Sequence, residues 1–152
     1  QPDFITIHTG GGAAMMEAAA DAAKTVGAKR PKLLGVTVLT SLAASDLAAV
    51  GQDKDVAAQV LRLAKLAQAS GLDGVICSPN EVALLRAGLG PDFILMVPGI
   101  RPLWASAQDQ KRVMTPQEAV LAGATYLVIG RPITGAENPA DAAARVNSEL
   151  TA

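Results

Sequence analysis

Short apolar runs alternate along this chain with longer stretches in which apolar residues recur at helical spacing. Residues 55–69, for example, place Val56, Val60, Leu63 and Ala67 on one side of a helix, the pattern of an element that covers one face of a sheet. The apolar runs predict five strands, at residues 4–8, 33–39, 74–77, 93–97 and 126–129. Strands that alternate with helices indicate a parallel sheet with crossover helices.

Three helix starts carry the same capping signal. Ser78, Thr115 and Asn138 each precede a proline, and an acidic residue follows three positions after each of them. We expect their side-chain oxygens to cap free backbone N–H groups, with proline at the first helical position. Gly71 and Gly123 follow helical stretches and precede strands, where a left-handed residue often ends a helix. The chain is therefore predicted to be a series of βα units without a linker.

Five βα units are compatible with an open sheet or with part of an eight-stranded (β/α) barrel. A complete barrel typically has about 250 residues, whereas this chain has 152. The first predicted strand begins almost at the first residue. We therefore expect a partial barrel with absent amino-terminal strands and with two open sheet edges, which invite pairing with another chain.

Composition narrows the classes of function. The chain is 50% hydrophobic and 18% charged, which allows one sizeable core, and its net charge of −1 with 3% aromatic residues argues against nucleic-acid binding. No apolar segment approaches the roughly 18 residues that span a bilayer, and no signal-peptide pattern is evident. One cysteine, Cys77, suits a reducing compartment. We expect a cytoplasmic protein that binds neither nucleic acid nor membrane.

Two of the predicted strands end in arginine-bearing loops. Arg101 follows the fourth strand, and Gly130 and Arg131 follow the fifth. In (β/α) barrels, functional groups gather at the carboxyl ends of strands, and phosphate sites favour the loops after the last two. A glycine lets a phosphate approach the main chain, and a guanidinium supplies charge with a forked donor. This pattern predicts an anion site, although Arg131 could instead form an ion pair with a helix carboxylate.

Other chemically capable residues carry weaker signals. His8 has no nearby serine, cysteine or carboxylate that would complete a triad, so a structural role is favoured. The glycines at 10–12 lack the Lys-Ser/Thr of a P-loop. Cys77 has no basic neighbour and is expected to pack in the core. Trp104, in the long loop 102–114, is either a lid anchor or a residue packed under its own loop. No metal-ligand spacing occurs.

Four loop motifs together resemble the bacterial orotidine 5'-phosphate decarboxylase family. They are Val-Thr-Val-Leu-Thr-Ser at 36–41, Val-Pro-Gly-Ile-Arg-Pro at 97–102, Asp-Gln-Lys-Arg-Val-Met-Thr-Pro at 109–116 and Leu-Val-Ile-Gly-Arg-Pro-Ile-Thr at 127–134. The resemblance implies a homodimeric (β/α)₈ TIM barrel, of which this chain would supply strands 4 to 8 as the carboxy-terminal part of one domain. It also implies conversion of orotidine 5'-phosphate to UMP in pyrimidine biosynthesis, without metal or organic cofactor.

Site residues follow from the same resemblance. Thr40 would contact the pyrimidine, and Arg101, Gly130 and Arg131 would surround the phosphate. Gln110 would reach from the lid to both phosphate and base, although Thr40 could merely cap its loop and Gln110 could face water. Each of these assignments is an expectation carried by the matching motif.

The family's catalytic signature, Asp-x-Lys-x-x-Asp, does not occur in this chain. The most similar run begins at Asp109 and has Lys111 at the lysine position, but it has Met114 in place of the second aspartate. We therefore expect the parent protein to be the enzyme and this chain alone to be inactive, with no catalytic residue of its own. Two alternatives stay open: a sugar-phosphate decarboxylase or aldolase of a related barrel family, and a non-catalytic partial-barrel module that pairs with another chain.

Overall fold

A parallel five-stranded sheet forms the centre of the computed structural model, which describes residues 2–105 and 114–150. The strands are paired in chain order, each parallel to its neighbours. They are β1 (Phe4–His8), β2 (Lys32–Val36), β3 (Gly74–Ile76), β4 (Ile94–Pro98) and β5 (Tyr126–Val128). All five predicted strands are confirmed; β1 has the predicted ends, and the ends of the others differ by no more than three residues.

Helices connect the strands. In the described ranges they are α1 (Ala13–Lys24), α2 (Ala44–Ala49), α3 (Val56–Ala69), α4 (Val82–Leu89), α5 (Pro116–Ala122), α6 (Arg131–Thr134) and α7 (Pro139–Leu150). Short 3₁₀ turns lie at Thr9–Gly11, Gly27–Lys29 and Pro79–Glu81. Within residues 2–105 and 114–150, no helix combines the length and the apolar character needed to cross a bilayer.

The three predicted caps are present. The Thr115 hydroxyl accepts a hydrogen bond from the Glu118 N–H at 3.3 Å, and the Glu118 carboxylate accepts one from the Thr115 N–H at 2.9 Å. The Glu81 carboxylate accepts from the Ser78 N–H at 2.9 Å, but the proline after Ser78 opens a 3₁₀ turn and α4 begins only at Val82. The Asn138 side chain accepts from the N–H groups of residues 140 and 141.

Gly71 and Gly123 have the predicted left-handed backbone, with φ of +82° and +109°. At Gly123 this turn also exposes a carbonyl to a distant side chain. The Arg86 guanidinium, on α4, donates to the Gly123 carbonyl through Nε at 3.2 Å and Nη2 at 2.7 Å. It also donates to the Phe93 carbonyl at 2.9 Å and to the Thr125 hydroxyl at 3.1 Å. One side chain thus joins α4, the end of α5 and the entrances to β4 and β5.

The core lies between the helices and one face of the sheet. Val75 and Leu95 on the sheet and Val60, Ala64 and Leu85 on the helices are all fully buried. The other face of the sheet is concave. The Phe4 and Tyr126 rings, on the two edge strands, meet edge-on with centroids 5.1 Å apart. Edge strands of a flat five-stranded sheet would lie about 19 Å apart, so this sheet curves strongly, as a segment of a barrel wall does.

Candidate functional site

The two arginine loops leave the sheet side by side. Strands β4 and β5 are neighbours, and their last residue pair is Pro98 with Val128. Arg101 lies three residues after Pro98, and Arg131 lies three residues after Val128. Because neighbouring strands are about 4.8 Å apart, this register brings both loops to the same carboxyl edge of the sheet.

Arg101 is a buried cation, with only 8% of its surface exposed. Its backbone N–H donates to the Met114 carbonyl at 3.0 Å, and its Nη1 donates to the Ile100 carbonyl at 2.9 Å. Its buried Nε has no hydrogen-bond partner in the described part of the chain. Burial of a charge is costly unless an anion compensates it. The guanidinium, whose Nε is unpartnered among the described residues, is therefore suited to an anion that enters from outside.

Gly130 and Arg131 stand where β5 passes into α6. Gly130 has a φ of −97° and a ψ of −101° and directly precedes the first residue of α6. A Cβ placed on Gly130 would have no heavy atom within 4 Å, which leaves open space beside the main chain. Arg131 is the first residue of α6 and is exposed rather than packed in the interior.

Thr40 lies half-buried in the loop between β2 and α2, on the same carboxyl rim. Two other threonines, which the sequence reasoning missed, fasten this rim. The Thr9 hydroxyl donates to the Val36 carbonyl at 2.8 Å, and the Thr37 hydroxyl donates to the Ile76 carbonyl at 2.9 Å. Their signal in the sequence is a threonine directly after an apolar strand. Gln110 lies outside the described residues.

Two cavities mark opposite ends of the sheet. One of about 160 Å³ lies at the carboxyl rim, between His8 and Thr37 on the strand side and Leu47 and Leu63 on the helix side. A wider cleft of about 620 Å³ opens at the other end, beside Tyr126. In parallel α/β sheets, ligands bind outside the carboxyl ends of the strands, so we place the candidate site at the carboxyl rim rather than in the wider cleft. The residues that line the smaller cavity do not include Thr40, Arg101, Gly130 or Arg131.

Cys77 lies directly after β3, in an environment that suppresses the reactivity of its thiol. Burial, with a smaller contribution from the negative charge of Glu81, raises the pKa of the Cys77 thiol to about 12. A thiol in that environment stays protonated and is a poor nucleophile. No group of three or more His, Cys, Asp or Glu side chains suited to a metal ion occurs among the residues that the structure describes.

Comparison with known proteins identifies the family of this chain. The model of the orotidine 5'-phosphate decarboxylase / HUMPS family matches residues 1–146. The chain belongs to this family. It is 52% identical to an orotidine 5'-phosphate decarboxylase of Rhodospirillum rubrum, over 98% of the chain and 62% of the relative. It is 55% identical to one of Paramagnetospirillum magneticum, over 97% of the chain and 64% of the relative.

A solved structure of the orotidine 5'-phosphate decarboxylase family gives the same fold. The enzyme from Lactobacillus acidophilus superposes with a TM-score of 0.83 at 40% identity, over 98% of this chain and 63% of that one. The expected fold class, a (β/α)₈ barrel represented here by five βα units, is therefore confirmed. The chain spans less than two thirds of the length of these relatives.

Proposed function

We propose that the protein to which this chain belongs decarboxylates orotidine 5'-phosphate to UMP, a step of pyrimidine biosynthesis. Family membership and the relatives named above support the reaction class. The observation that carries the proposal is the buried Arg101, whose Nε is unpaired within the described ranges. Arg101 also lies as many residues after β4 as Arg131 lies after β5. In this proposal Arg101, Gly130 and Arg131 bind the phosphate, Thr40 contacts the pyrimidine, and Gln110 reaches both.

The proposal extends to the assembly. The 152 residues form the carboxy-terminal part of a single barrel domain, and the whole protein is a cytoplasmic homodimer. The curvature of the sheet and the partial coverage of the relatives support the first statement. The second is what the family resemblance implies.

Binding and bond-breaking are divided between two parts of the protein. Contacts with the distant phosphate supply binding energy that stabilises the transition state at the pyrimidine. There the bond between C6 and the carboxylate breaks, CO₂ leaves, and the carbanion at C6 takes up a proton. Without the Asp-x-Lys-x-x-Asp signature, this chain has no residue assigned to donate that proton. We therefore propose that the chain alone binds the nucleotide without turning it over.

Calorimetric titration with UMP and uridine tests the phosphate site. We expect UMP to bind at least about tenfold more tightly than uridine, because charge-assisted hydrogen bonds contribute about 1.5–3 kcal/mol each. Arg101→Ala and Arg131→Ala should each reduce this preference, whereas Lys24→Ala, an exposed cation on α1, should not. Equal affinity for UMP and uridine would refute the phosphate site, and tighter binding of a hexulose phosphate than of UMP would favour the sugar-phosphate alternative.

Release of CO₂ from carboxyl-labelled orotidine 5'-phosphate tests the division of roles. The 152-residue chain should bind the substrate and release no CO₂ above the uncatalysed background. Release at rates typical of enzymes, about 1 s⁻¹ or faster, would show that the proton donor lies within this chain.

A further inference from the structure

The turn that follows Arg101 rests on the last helix. The Arg145 guanidinium, on α7, stacks over the Trp104 ring, 4.3 Å from its centroid. One helical turn further along α7, the Glu149 carboxylate accepts a hydrogen bond from the Leu103 N–H at 3.4 Å. Because Leu103 and Trp104 lie two and three residues after Arg101, α7 contacts this turn at two points close to the buried guanidinium.

The same helix supports the second arginine loop. α7 packs against α6, which begins with Arg131, and also against α5. Ala142 and Val146 anchor α7, since both are buried, with 4% and 5% of their surfaces exposed. One helix therefore contacts both of the loops that carry the phosphate-binding arginines of the proposed function.

We propose that Arg145 is a positioning residue, which fixes Arg101 relative to Arg131 through its contact with Trp104. This inference rests on the proposed function, because it assigns a support to the same phosphate site. An aromatic ring attracts a cation placed over its face, and here that attraction ties the turn after β4 to the helix behind β5. Arg145 acts on the ligand only through Trp104 and Arg101. Its replacement should therefore change the affinity for UMP, which carries the phosphate, and not the affinity for uridine.

The test compares UMP and uridine titrations of the chain carrying Arg145→Ala, Trp104→Ala or both changes. Each single change should weaken UMP binding about three- to fivefold, the scale of an exposed cation–ring contact, and leave uridine binding unchanged. The double variant should bind UMP no more weakly than either single variant, because both changes remove one shared contact. Trp104→Phe keeps an aromatic face and should restore most of the UMP affinity, and Lys24→Ala serves as the matched cation control.

Three results would overturn the inference. Wild-type UMP affinity in Arg145→Ala would show that the stack does not position Arg101. An equal loss of UMP and uridine affinity would indicate a general structural role instead. Additive losses in the double variant would show that Arg145 and Trp104 act independently, so that their contact is not what positions Arg101. If the unmodified chain does not distinguish UMP from uridine, the proposed phosphate site itself fails, and this inference fails with it.

Discussion

Single side chains join parts of this chain that are far apart in sequence, and Arg86 is the clearest case. In the sequence it is one more charge on a helix. Its role depends on Gly123, 37 residues away, whose left-handed turn presents a carbonyl to the guanidinium. No local pattern indicates such a contact, because both partners must first be placed by their own helices.

Replacement of Arg86 by methionine keeps the aliphatic stem and removes every donor. The carbonyls of Gly123 and Phe93 then lose a charged partner, so we expect the free energy of unfolding to fall by about 3 kcal/mol, measured by urea denaturation. Arg86→Lys should recover only part of the loss, since an ammonium cannot reproduce the guanidinium fork. Lys24→Met, at an exposed pair with Asp21, should cost less than about 0.5 kcal/mol. Equal effects at Arg86 and Lys24 would contradict this assignment.

Cys77 allows a second test at the scale of one residue. Its pKa of about 12, together with burial, leaves almost no accessible thiolate at pH 8. We expect a chromogenic disulfide reagent to label the native chain at least about a hundredfold more slowly than the urea-unfolded chain. Rapid stoichiometric labelling of the native chain would show that Cys77 is reachable from solvent.

One carboxylate links the entrances of two neighbouring strands at the amino-terminal end of the sheet. Asp73, just before β3, accepts from Arg30 at 2.6 and 2.8 Å and from the Leu33 N–H at 2.8 Å. Burial opposes ionisation of Asp73, but the hydrogen bonds and charge of Arg30, together with the Leu33 N–H, lower its pKa below the ordinary value. The entrances to β2 and β3 are thus tied to the turn that precedes β2.

This depressed pKa has a defined effect on stability. A carboxyl group with a folded pKa below its unfolded value of about 3.9 stabilises the fold fully above that value and loses the contribution as pH falls through the folded pKa. Asp73→Asn should therefore cost about 2 kcal/mol at pH 7, and the difference from wild type should shrink below about pH 4. Asp21→Asn, at an exposed pair, is the control. A difference between wild type and Asp73→Asn that stays constant from pH 7 to pH 2 would exclude the ion pair as its source.

The order and type of these elements could be predicted, but not all of their ends. β2 was predicted to continue to residue 39 and ends at Val36, because the Thr37 N–H and hydroxyl both bond to the Ile76 carbonyl and the chain then turns. The prolines were correct markers of helix starts at Thr115 and Asn138, whereas Pro79 opens a 3₁₀ turn before α4. Short-range hydrogen bonds decide such ends, and apolar periodicity does not report them.

The position of the candidate site could be predicted from the sequence, but not the environment of each residue in it. Strand exits and motif spacing place Arg101, Gly130 and Arg131 on one rim, and β-pairing brings the two arginine loops together. The burial of Arg101 could not be predicted, because it depends on packing around its loop. The ligand contacts of all five residues, which are Thr40, Arg101, Gln110, Gly130 and Arg131, stay predictions.

At the scale of the whole molecule, the main features are the curvature of the sheet and the open outer edges of β1 and β5. β1 and β5 each pair with one neighbour among the strands described here, so their outer edges carry unpaired backbone groups. The Phe4 and Tyr126 rings, one on each edge strand, meet across the concave face of the sheet. Such edges are templates for pairing with another chain.

We therefore expect the 152-residue chain to associate at micromolar concentration, with a light-scattering mass above 15.5 kDa. Ile5→Lys places a charge on the edge strand β1, where Ile5 is 40% exposed, and should reduce the association. Val26→Lys changes an exposed residue outside the sheet and should leave it unchanged. A monomeric mass for the unmodified chain would contradict the expectation.

The equal offset of Arg101 and Arg131 from the final residue pair of β4 and β5 limits how these loops can evolve. Substitutions between Val128 and Arg131 change side chains in the loop, but they leave both arginines three residues after the final residue pair. Insertion or deletion of a single residue there would put them out of phase. Loop length therefore constrains this edge of the molecule more than loop composition does.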